Sequence, residues 1–127
     1  MQIFATLISV LVFLGTGPAQ VSATCHRSGI HWSSKDKAVG HIEAACRGGV
    51  FTGTFAPKQR KYLCIKAGEN VKWEFSITNQ NDHASFDLQD QHCINGLSNE
   101  VRGCDQGGVN SVAGWEYSSD PNNGYCK

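Results

Sequence analysis

From Val71 to Asn79 apolar and polar positions alternate without a break, with Val71, Trp73, Phe75 and Ile77 on one side and Lys72, Glu74, Ser76 and Thr78 on the other. A period of two puts the first set on the buried face of a strand and the second in water. Arg60 to Lys66 reads as a neighbouring strand, joined to the first by the hairpin loop Ala67-Gly68-Glu69-Asn70, and Val50 to Phe55 as a short one. Two stretches follow the helical period instead. In the first, Ala38, Val39, Ile42, Ala45 and Cys46 form a stripe behind a capping box, Ser33 as N-cap with Asp36 three residues on, and Gly48-Gly49 ends it. In the second, Asp87 caps a helix whose stripe is Cys93, Ile94, Leu97, Val101 and Cys104. Steps of about 100° bring Cys104 back to the direction of Cys93. Val112 to Ser118 predicts a last strand with Trp115 and Tyr117 on one face, and Asp120-Pro121-Asn122-Asn123-Gly124 a turn before Cys126.

The start of the chain has a different pattern. Ile3 to Leu14 is almost unbroken in its apolar character, Gly15, Gly17 and Pro18 close it, and Val21-Ser22-Ala23 supplies small residues for cleavage. Such a run is too short for a bilayer core of about 30 Å and reads as a secretory signal peptide over residues 1–23. A single disulfide-stabilised domain, residues 24–127, is then expected to be secreted and extracellular, with no stable membrane anchor. All six cysteines, Cys25, Cys46, Cys64, Cys93, Cys104 and Cys126, fall in that part. An even number in a small secreted chain implies three disulfides. No CxxC pair supports a zinc site, and no cofactor is expected.

The formal net charge is zero, but it is unevenly spread. Thr24 to Lys72 holds nine Lys/Arg against three Asp/Glu, and Trp73 to Lys127 two against eight, so the halves carry +6 and −6. Mixing of the halves in the fold would cancel the split, and without a net basic face nucleic acid is not an expected partner. A monomer is expected.

Six cysteines allow fifteen pairings. If the two helices pack as an antiparallel pair on one sheet face, the end of the first (Cys46) meets the start of the second (Cys93). Cys25 then meets Cys104, leaving Cys64 to hold Cys126. Each bridge closes a long loop, worth about 4 kcal/mol in the chain-entropy account.

The order of these elements resembles the secreted killer toxins of the killer protein 4 type, known from smut fungi and their fungal relatives. The resemblance is carried by Ala45-Cys46, Arg60-Lys61-Tyr62-Leu63-Cys64, Val71 to Thr78, Cys93 to Cys104 with its Ile94-Asn95-Gly96-Leu97-Ser98-Asn99-Glu100-Val101-Arg102-Gly103 interior, and the last strand with Cys126. It implies an α/β (α+β) two-layer sandwich, an antiparallel sheet with two antiparallel helices packed on one face, held by the three bridges above. Family toxins carry further cysteines that are absent here. It also implies a non-enzymatic protein acting on another cell from outside, in the toxins by interfering with calcium entry through a basic residue near the cysteine corresponding to Cys64.

Here Lys61 sits three residues before Cys64 and Tyr62 two before, one position off the family pattern; Lys58, Arg60 and Lys61, with Tyr62, are the target-contact candidates, offering cations to an acidic surface on or near a target cell. The same charges would also keep an edge strand from pairing with neighbours. A host-directed effector that binds an extracellular host protein is the alternative binding role. A small hydrolase such as a ribonuclease would need His26, His31, His41, His83 or His92 to meet Glu74 or Glu116, and no nucleophile motif such as GxSxG appears. Asp120 to Gly124 lacks the ligands of a calcium loop. Trp73, Phe75, Trp115 and Tyr117 suggest a carbohydrate platform, but aromatics at period two on strands are more often core. Trp32 alone among the tryptophans has no position that predicts burial.

Overall fold

The computed structural model describes residues 24–127; the expected signal peptide lies outside the described residues. Strands β1 (Thr24–Cys25), β6 (Gly108–Val112), β7 (Trp115–Asn123), β4 (Val71–Asn79) and β3 (Arg60–Gly68) lie side by side in that order, every neighbour antiparallel. A two-stranded sheet pairs β2 (Gly53–Phe55) with β5 (Phe86–Leu88). Helices α1 (Lys35–Arg47) and α2 (Asp90–Gly103) complete an α+β sandwich. They run antiparallel, since Lys35 and Asp36 at the start of α1 pair with Asp105 and Arg102 at the end of α2.

The stripe Ala38, Val39, Ile42, Ala45 and Cys46 of α1 is buried as its spacing requires. Its N-cap is Ser34, whose hydroxyl accepts from the Lys37 amide at 3.2 Å, one residue later than the capping box predicts. From α2, Ile94, Leu97 and Val101 meet Trp73, Phe75 and Ile77 of β4 in one core. Trp32 joins them, stacked on Phe75 and edge-on to Trp73, with its indole N–H donating to the Cys104 carbonyl at 3.0 Å. Burial of an indole is tolerable because its one polar atom is bonded.

Three disulfides join Cys25 to Cys104, Cys46 to Cys93 and Cys64 to Cys126. The first two tie the ends of α2 to β1 and to the end of α1. The third crosses β4 on the sheet's outer face, where Cys64, Glu74 and Asp120 stand in register.

Several expectations are corrected. Asp87 does not cap α2: it lies in β5, where it accepts a 2.6 Å hydrogen bond from Thr54 Oγ1, and Gln89 stands at the cap without a side-chain bond. Only Gly53–Phe55 of the Val50 to Phe55 stretch is strand. The β3–β4 connection tightens to Glu69-Asn70, with Asn70 left-handed at φ 57°. The last strand becomes a hairpin, β6 and β7, around a two-residue turn in which Ala113 (φ 51°) and Gly114 (φ 87°) are both left-handed. Asp120 to Asn123 is strand, not turn: Pro121 pairs with Trp73 beyond the last residue of β7 that β6 reaches, so its missing N–H leaves no gap in the β6 ladder.

Candidate functional site

The basic segment does not present a shared cationic prong. Lys58, left-handed at φ 63°, pairs with Asp82 at 3.1 Å, and its amide donates to the Asn81 carbonyl. Lys61 turns inward, its ammonium 4.1 Å from the centre of the Phe55 ring and bonded to the Thr52 carbonyl at 3.0 Å. Arg60 lies over the Tyr62 ring on the outer sheet face. There the Tyr62 hydroxyl donates to Glu74, which also accepts from Asn122 and faces Lys72. Partial burial alone would raise the Glu74 pKa, but these bonds and the Lys72 charge outweigh it and hold the carboxyl below its ordinary value. Burial and the bond to Glu74 push the Tyr62 hydroxyl up to about 12.

Four of the catalytic candidates lie on opposite faces of the sheet. Glu74 and Glu116 project from the outer face, whereas His41 and His92 are carried by the helices on the inner face. Among the described residues no group of three or more His, Cys, Asp or Glu could hold a metal ion. None of the described helices is long and apolar enough to cross a membrane.

What the fold does assemble is a groove at the tip of the β6–β7 hairpin. Two hollows flank the Ala113–Trp115 turn. One, of about 350 Å³, is lined by Asn79, Gln80, Asn81, Phe86, Gly114 and Trp115. The other, of about 430 Å³, lies against α2, with His92, Asn95 and Asn99 on one side and Val112, Trp115 and Tyr117 on the other. Both are within the range of about 300–1,000 Å³ typical of ligand sites. Trp115 borders both, half-buried, and Phe55 stands edge-on to it at 4.9 Å.

The polar lining is almost wholly amide. Asn79 is the fixed member: its Nδ2 donates to the carbonyls of Phe55, Ala56 and Ala84, and its Oδ1 accepts the Asn81 amide. Asn81 Oδ1 accepts from His83 and Ala84, which leaves its Nδ2 for a ligand. Gln80 donates to Ser111 and keeps its carbonyl, and Asn95 accepts from Gln91 and keeps its NH₂. No Lys, Arg, Asp or Glu lines either hollow among the described residues. Such a surface offers an aromatic face together with paired donors and acceptors, suited to a ligand rich in hydroxyls.

Of the four aromatics weighed as a carbohydrate platform, Trp73 and Phe75 are core, Tyr117 borders one hollow at 4% exposure, and Trp115 borders both and is the most open of the four. The expectation of burial holds only in part for Trp115, which packs against the edge of the core at the start of β7 and faces α2 across a hollow. Neither Asn95 nor Asn99 stands out in the hydrophobic pattern of α2. A signal existed: Asn95-Gly96-Leu97-Ser98-Asn99 places four poor helix formers in the middle of a helix.

One buried group has no part in the groove's lining. Glu100 of α2 is fully buried, and neither carboxylate oxygen has a hydrogen-bond partner among the described residues. Burial pushes its pKa to about 8. Burial and the Glu100 charge together raise the Tyr117 hydroxyl to about 12.

Comparison with known families returns a match over residues 37–126 to the family described as glycan binding domain Y3. The match runs from the first turn of α1 to Cys126. No curated protein matches the chain. The matching family is named for binding, and it lends no support to toxin or calcium-channel activity.

Proposed function

The chain belongs to the Y3 glycan binding domain family, and we propose on that footing that it is a non-enzymatic binding protein that takes a glycan, free or on a glycoprotein, into the groove around Trp115. The observation that carries the reading is Trp115 itself, an indole at the junction of two amide-lined hollows. The C–H face of a sugar ring is apolar and packs on an aromatic plane, while its hydroxyls both donate and accept, as amides do. Backbone and side-chain bonds hold Asn79, Gln80 and Asn81 in place before any ligand arrives.

The same reading keeps the protein outside the cell, with residues 1–23 directing secretion and a glycan or glycoprotein on another cell or in its surroundings as the target. On this reading Lys61 has structural work at Phe55 and Thr52 and Tyr62 at Glu74, while Lys58 and Arg60 are exposed charges outside the groove.

Binding of the oxidised protein to a printed panel of neutral, sialylated and sulfated glycans tests the reading, with Trp115→Ala as control. Loss of a central aromatic anchor typically removes about 2 kcal/mol or more, roughly a thirtyfold rise in Kd. Binding that survives Trp115→Ala unchanged would place the site elsewhere, and a blank panel would remove the glycan reading.

A further inference from the structure

Helix α2 carries a glycine that its own backbone does not require. Gly96 sits in the helix interior, where glycine is about 1 kcal/mol worse than alanine, and it is not among the glycines with positive φ. What excludes a side chain is the Tyr117 ring. A Cβ on Gly96 would stand 2.3 Å from Cδ1 and Cε1 of Tyr117 and 2.5 Å from Cζ. Carbon atoms in contact lie roughly 3.5–4.0 Å apart, so a methyl group there needs more than an ångström of extra room.

Either the helix or the ring must give way. The helix is tied at its start through Cys93 to Cys46 and just past its end through Cys104 to Cys25. In its middle, Ser119 Oγ donates a buried 2.8 Å hydrogen bond to the Leu97 carbonyl. The Tyr117 ring has an alternative, because it borders the hollow of about 430 Å³ between α2 and Trp115. We propose that Gly96 is a positioning residue of the glycan site: its missing side chain lets Tyr117 lie back against α2 and so keeps that hollow open. The role rests on the reading of the groove as the glycan site. On this wall of the groove Asn95 and Asn99 present side chains and Gly96 presents none.

The test uses two readouts on the oxidised full-length domain. Trp32 and Trp73 are 7% and 3% exposed, so quenching of tryptophan fluorescence by acrylamide reports chiefly on Trp115 and needs no ligand. Gly96→Ala should shield Trp115 from acrylamide and weaken binding to the best glycan of the printed panel by roughly tenfold or more. Gly96→Ala with Tyr117→Val should recover the quenching, which a merely destabilising substitution would not do. Wild-type quenching and binding in Gly96→Ala, or no recovery in the double variant, would overturn the proposal. If Gly96→Ala alone does not fold, Tyr117→Val and the double variant should quench and bind alike, and weaker binding by the double variant would overturn it. Recovery of quenching alongside glycan binding that ignores Trp115→Ala would instead place the glycan site outside this groove, and so remove the role of Gly96 in binding, while leaving the ring movement established.

Discussion

Glu100 makes a prediction whose size follows from its surroundings. Its carboxyl has an ordinary pKa of 4.5 and is pushed to about 8 by burial, so the folded protein favours the protonated form. The resulting stability is fully present below pH 4.5, where both states are protonated. It is lost as pH rises towards 8, because the unfolded chain ionises freely and the folded chain does not. Each pH step in that window removes about 1.4 kcal/mol, so roughly 3 kcal/mol is gone at pH 7 and about 5 kcal/mol above pH 8. Glu100→Gln keeps the shape and cannot ionise. Its amide is no better partnered than the acid, so the two proteins need not be equally stable at pH 4. The prediction concerns the difference between them, which should move by about 3 kcal/mol in favour of the variant from pH 4 to pH 7. Unfolding in guanidinium chloride with the disulfides intact is the assay, since the salt screens surface pairs such as Lys35–Asp105 and leaves the buried acid exposed to its environment. Pairs of that kind act in the opposite direction: the hydrogen bond from Lys35 and its charge hold Asp105 low. They are common to both proteins and cancel in the difference. A difference that stays constant from pH 4 to 8 would refute the reasoning.

Asn79→Ala strands the carbonyls of Phe55, Ala56 and Ala84. At about 1 kcal/mol for each bond it should cost roughly 3 kcal/mol in denaturant unfolding, and it should weaken glycan binding by loosening the wall formed by Gln80 and Asn81. The basic segment should divide by role. Lys61→Ala exposes the Phe55 ring and loses the bond to Thr52, and should cost about 1–2 kcal/mol. Lys58→Ala and Arg60→Ala should each stay within about 0.5 kcal/mol of wild type. None of the three should alter glycan binding measured on the same panel, and a binding loss in Lys58→Ala or Arg60→Ala would return that segment to the contact surface.

Periodicity made most of the sandwich legible. The stripes of α1 and α2 and the alternation of β4 each reflect one buried face, and burial of one face is what a hydrophobic period records. The hairpin β6–β7 was not legible because its turn is Ala113-Gly114. An Asn-Gly or Asp-Gly pair would have marked left-handed residues, whereas alanine in a run from Val112 to Ser118 reads as strand. Local chemistry favours Asp87 as a cap, and the pairing of β5 with the distant β2 overrides it. Trp32 was unreadable for the related reason that its partners, Trp73, Phe75 and the Cys104 carbonyl, are all far along the chain. At the groove the difficulty was one of degree: the alternation correctly put Trp115 and Tyr117 on the same side, but where along β7 the helices stop covering that side is a tertiary fact.

The tightness of the Ala113–Gly114 turn has a consequence for how such a chain can change by descent. Strand side chains alternate between faces, so register is set residue by residue from the turn that starts the strand. The turn has no slack, since it already holds an alanine in a left-handed conformation that disfavours side chains by about 1–2 kcal/mol. An insertion of one residue absorbed into the start of β7 would carry Trp115 to the outer face of the sheet and leave the amides of the groove without their aromatic partner. On the glycan reading, substitutions around the hollows can retune what the site prefers by small steps, but a change of length at its ridge acts as a single step from binder to non-binder.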